Sequence, residues 1–165
     1  MKKLINLYFK APIFWDYFVS IMLILILIYL VGTGKIEIPN SNTLNNLITD
    51  ISNISFTSTG FILTILTVLI TFKANNNKKN KLNEYNSALG IFFQTPLYKS
   101  STNYLSNCIK SLLFIAIVGF SAKILLTQNQ YYYIFYLAVL ELLILSFTLL
   151  RCLLILGKIL KLQND

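Results

Sequence analysis

Four long apolar runs alternate along the chain with short segments rich in Asn, Lys, Ser and Gly. The runs cover residues 13–31, 56–72, 111–126 and 132–156. Crossing about 30 Å of hydrocarbon at 1.5 Å per residue takes about 17–25 residues, so each run predicts a membrane-spanning helix. The third is short by itself but is entered through an apolar stretch beginning near Tyr104, and the fourth is long enough to tilt. After the first run, "GTGKIEIPNSN" reads as a turn-rich loop marked by Gly32, Gly34 and Pro39, with Ser41 or Asn42 placed to cap the next helix. The polar "KANNNKKNK" at 73–81 reads as a solvated loop. Beyond it, Leu82, Tyr85, Leu89, Phe92 and Phe93 fall at helical spacing opposite Asn83, Glu84 and Asn86, and Thr95–Pro96 suits a helix restart. The fold expected is an all-α membrane protein. One four-span domain covers residues 1–165, with an interfacial or cytoplasmic helical segment at 73–110 between spans two and three.

A second periodicity runs through the second span. Asp50, Asn53, Thr57, Gly60, Thr64, Thr67 and Thr71 follow one another in alternating steps of three and four, a 3.5-residue period. Asn46 and Thr43 extend it backwards, so a continuous helix from about 42 to 72 would carry one polar or small face along its length. Ser55, Ser58 and Thr59 are polar and lie off that face. Such a face serves either as a packing seam, where small and hydroxyl residues let membrane helices approach closely, or as a pore lining in an oligomer. Asp50 and Asn53 at its outer end would suit the mouth of a cation path.

Charge gives the spans a direction. Lys2, Lys3 and Lys10 precede the first span; Lys73, Lys78, Lys79, Lys81, Lys99 and Lys110 lie between the second and third; Arg151, Lys158 and Lys161 flank the end of the fourth. The opposite side holds Lys35 alone, and "TQNQ" at 127–130 is uncharged. Basic residues favour the cytoplasmic side, which predicts N-in/C-in topology in a bacterial inner (plasma) membrane. The N-terminal run is too long for a cleaved signal peptide and "VGTGKIE" offers no A-x-A-like site, so an uncleaved anchor is expected.

Composition narrows the function classes. Of 165 residues, 56% are hydrophobic and 12% charged, about half the charged share that a soluble surface needs. The six acids are scattered and histidine is absent, so no metal-ligand spacing arises; no phosphate loop or nucleophile motif appears either. No enzyme, metal or cofactor is expected. The net charge of +8 is read as topological Lys/Arg facing an anionic leaflet rather than as a nucleic-acid surface. Cys108 and Cys152 make no disulfide framework and read as packing residues.

Two further features carry expectations. Glu141 stands about ten residues into the fourth span, roughly 15 Å from the tyrosines that open it, so it must face protein or water. Lys123 is its candidate partner in an intramembrane charge pair; the alternatives are a neutral, protonated Glu141 hydrogen-bonded in the bundle, a bond to the span-two threonines, or a proton or ion role. Arg151 and Asp16 read as interfacial groups with no special role. The aromatics Tyr85, Phe92, Phe93, Tyr98 and Tyr104 form a candidate platform for a soluble partner, beside the simpler reading of an interfacial helix.

A span "GFILTILTVLITF", a polar loop and then "FFQTPLYKSSTNYL" leading to the third span resemble small four-helix bacterial membrane proteins of phage-defence loci. The membrane subunit of Kiwa-type systems and the SMODS-associated four-helix pore-forming effectors are of this kind. The likeness covers about residues 55–125 and carries over no functional residue. It implies an oligomeric inner-membrane protein that senses infection or permeabilises the membrane, with a soluble partner. The functional expectation is therefore a sensor, anchor or pore component in the bilayer, homo-oligomeric, acting in antiviral defence. The alternatives are an anchor that recruits a cytoplasmic protein through 82–110, and a small transporter or its accessory subunit.

Overall fold

Pro12 occupies the first turn of the first helix, where its missing N–H has no partner to lose, and its fixed φ suits the start. From there the computed structural model, which describes residues 11–79, 92–125 and 130–164, shows four helices. These are α1 (Pro12–Gly32), α2 (Ser41–Lys79), α3 (Pro96–Leu125) and α4 (Tyr131–Asn164). Each is long and apolar enough to cross a membrane. α1 stops in a turn where the Lys35 N–H reaches the Leu30 carbonyl and the Gly34 N–H that of Val31. Gly34 has φ +70°, the left-handed value that such a helix end demands and that glycine adopts without strain.

Asn40 caps α2: its Oδ1 accepts the Thr43 N–H at 2.8 Å, one residue before the caps expected at Ser41 or Asn42. The helix then continues for 39 residues. The loop expected over 73–81 is thus helical through Lys79. The reason is local: between Gly60 and Gly90 the chain has neither Gly nor Pro, so nothing stops a helix that tertiary packing has already nucleated. α3 restarts at Pro96 as expected, while the Thr95 hydroxyl turns back to the Phe92 carbonyl at 2.8 Å. The interfacial stripe expected at 82–91, Tyr85 included, lies outside the described residues.

α2, α3 and α4 pack against one another, with α3 most extensively on α2, and α1 rests mainly on α4. Leu44, Ile48, Ile51, Leu105, Leu112 and Ile115 make the apolar centre. The outside is apolar too: Phe14, Phe61, Phe72, Phe114, Ile117 and Leu153 are all exposed. Polar side chains are drawn inward. α1 buries Pro12, Asp16 and Ser20, one residue per turn, and turns Phe14, Phe18, Ile21 and Leu25 outward. An apolar exterior over a partly polar interior is the distribution that lipid, and not water, selects.

Candidate functional site

The stripe of Asp50, Asn53, Thr57, Gly60, Thr64, Thr67 and Thr71 is exposed at every position on the single chain. Its threonines make no demand on a neighbour. Thr57 donates to the Asn53 carbonyl at 2.8 Å, Thr64 to Phe61 at 2.6 Å, Thr67 to Leu63 at 2.9 Å and Thr71 to Thr67 at 2.9 Å. Returning a hydroxyl to its own helix is how Thr rests in an apolar setting without an external partner. What remains is a row of methyls and accepting oxygens, with a gap at Gly60 where an added Cβ would meet nothing. Beside it an open groove of about 380 Å³ lies between α2 and α4, walled by Thr57, Ser58, Phe61 and Leu153 among others.

The buried face of α2 is the other polar set. Ser52, Ser55 and Thr59, off the 3.5-residue stripe, point into the bundle with Ile48, Ile51 and Ile62. Ser52 Oγ donates to the Ile48 carbonyl at 2.8 Å and Thr59 Oγ1 to that of Ser55 at 2.8 Å, while Ser55 Oγ is buried with no hydrogen-bond partner among the described residues. Opposite them on α3 is Gly119. A Cβ there would collide with Ser52 Oγ and would lie 3.0 and 3.3 Å from Glu141 Oε2 and Oε1. Three helices therefore meet at one point, and they do so because Gly119 has no side chain.

The charge pair expected between Lys123 and Glu141 does not form. Lys123 Nζ instead donates to Thr49 Oγ1 at 2.8 Å, and Thr49 passes its own proton to the Asn45 carbonyl at 2.6 Å. α3 packs most closely on α2, so a lysine near its end reaches that neighbour and not α4. Glu141 is 2% exposed, and neither carboxylate oxygen has a hydrogen-bond partner among the described residues.

The ion pair lies elsewhere. Arg151 Nη1 is 3.0 Å from Asp16 Oδ2, with the two side chains 2% and 3% exposed. No special role is expected of either from sequence, but α1 docking on α4 closes over both and pairs them. Ser20, fully buried, donates to the Asp16 carbonyl at 2.7 Å. Cys108 of α3 and Cys152 of α4, both buried free thiols, lie beside each other near the Arg151 guanidinium. This polar knot unites α1, α3 and α4 at one end of the bundle.

The aromatic platform is largely interior. Phe92, Phe93 and Tyr98 are buried and pack ring to ring with centroids 5.5–5.9 Å apart, and Lys73 Nζ lies 4.2 Å from the Tyr98 ring centre. Tyr104 is half-buried against the core. These rings hold the entry to α3 against the end of α2 and present no surface to a partner at Phe92, Phe93 or Tyr98. Periodicity could not reveal this, because a buried aromatic face and an exposed one have the same spacing. No family model, no curated protein and no solved structure matches this chain.

Proposed function

We propose that the protein is a subunit of a homo-oligomeric pore or sensor assembly in the bacterial inner membrane, with both termini cytoplasmic and copies meeting through the α2 stripe. One observation carries this reading: the stripe from Asp50 to Thr71 is left uncovered by the rest of the chain along its whole length. Gly60 has no side chain and the four threonines are already bonded to their own helix, so a second helix can approach closely there. Association by such a seam leaves Thr64 and Thr67 either between helices or around a lumen. A role in antiviral defence rests on the resemblance of residues 55–125 to proteins of phage-defence loci.

Substitution on the stripe separates the two arrangements. If α2 lines a lumen, Thr64→Leu and Thr67→Leu abolish ion or dye leakage from loaded vesicles while oligomers still form. If the stripe is a packed seam, the same changes overfill it, at about 1–3 kcal/mol each, and native mass measurement shows dissociation. Oligomers and leakage both unchanged by Leu at both positions would remove the stripe from the assembly altogether.

A further inference from the structure

Two groups that face one another around Gly119 are both acceptors. The Ser52 hydroxyl donates its hydrogen bond to the Ile48 carbonyl at 2.8 Å, so towards Glu141 it turns lone pairs. The Glu141 carboxylate is 2% exposed with neither oxygen hydrogen-bonded, and both oxygens lie within 3.3 Å of the point where a Gly119 Cβ would stand. Ser52 Oγ crowds that same point. One turn along the same buried face, Ser55 Oγ is a further buried oxygen without a partner among the described residues.

Among the described residues no cationic side chain pairs with Glu141. On α3, Lys123 lies one turn beyond Gly119 and is engaged by Thr49. On α4, Arg151 is ten residues away, roughly 15 Å, and is engaged by Asp16. On α2, the acid nearest in sequence, Asp50, is exposed on the opposite side of its helix. A buried carboxylate with no donor is among the costlier arrangements a bundle can hold, whereas a hard cation takes oxygen ligands of this kind.

We propose that Glu141, with Ser52, forms an intramembrane binding site for a single monovalent cation of the sodium class. One carboxylate neutralises one positive charge, which suits a monovalent ion. Gly119 acts by omission: any side chain there would occupy the space between the ligands. The site lies inside one chain and stands or falls independently of the α2 stripe.

The test is thermal unfolding of the purified protein in detergent, titrated with NaCl, KCl or choline chloride at constant ionic strength. Sodium should raise the unfolding temperature in a saturating manner, choline should not, and equilibrium dialysis with radioactive sodium should give one ion per chain. Glu141→Gln should abolish the sodium dependence. Ser52→Ala keeps the carboxylate and removes one oxygen, and should raise the half-saturating sodium concentration about tenfold, the effect of one modest polar contact; it serves if the Gln variant fails to fold. Three outcomes would overturn the site: an unfolding temperature indifferent to sodium, a sodium response that survives both substitutions, or a stability that follows pH identically in sodium and choline. The last would mean that Glu141 is simply a protonated acid.

Discussion

Gly119 and Gly60 are both helical glycines in apolar runs, and the structure gives them opposite weights. At Gly119 a methyl group would collide with Ser52 and press on Glu141, both buried and fenced in by α2 and α4. Gly119→Ala should therefore destabilise the isolated protein by about 1–3 kcal/mol, the usual cost of overfilling a packed site. At Gly60 the same methyl meets open space, so Gly60→Ala should leave the monomer unharmed or stabilise it by about 0.5–1 kcal/mol through helix propensity. Any loss it causes should appear only in the assembled state. Denaturation of detergent-solubilised monomer, set beside the oligomer fraction on native mass measurement, checks both. A Gly119→Ala protein as stable as the parent would mean that α3 does not approach α2 and α4 as closely as described.

Among the elements, α1 depends most on a few residues. It buries Pro12, Asp16 and Ser20 and otherwise meets its surroundings with apolar side chains that lipid would accommodate equally well. Its docking therefore hangs on the Asp16–Arg151 pair and on Ser20 fitting under it. Asp16→Asn or Arg151→Gln alone should cost about 3–5 kcal/mol by stranding the other charge, while the double change to Asn and Gln should be milder than either. A double-mutant cycle on unfolding, with cysteine crosslinking between α1 and α4 to report docking, measures this; additive losses would dissolve the pair.

The same elements show how far sequence carries. The existence of four helices was legible because apolar run length is a local quantity. The polar extension of α2 to Lys79 was not, since "KANNNKK" signals solvent and says nothing against a helix. Which face of α2 turns inward was hidden for a different reason: 50/53/57/60 and 52/55/59 are both polar rows, and only the neighbouring helices choose between them. The Asp16–Arg151 pair joins positions far apart in the chain, so it becomes visible only once α1 is seen to lie on α4.

For the whole molecule, the basic residues predict that positions 36, 42 and 129 face outside and 78, 99 and 163 face the cytoplasm. Single cysteines at these sites, in a protein lacking Cys108 and Cys152, should react with an impermeant reagent on intact cells in the first group and only after lysis in the second. Labelling of position 78 from outside would invert the bundle. The length of α2 then acquires a mechanical meaning. Its 39 residues span roughly 58 Å, nearly twice a hydrocarbon layer of about 30 Å, so much of the rod must stand clear of the bilayer. Lys73 against the Tyr98 ring couples the far part of that rod to the foot of α3. Leu44, Ile48 and Ile51 hold the near part against the same neighbour, so α2 and α3 can change inclination only together.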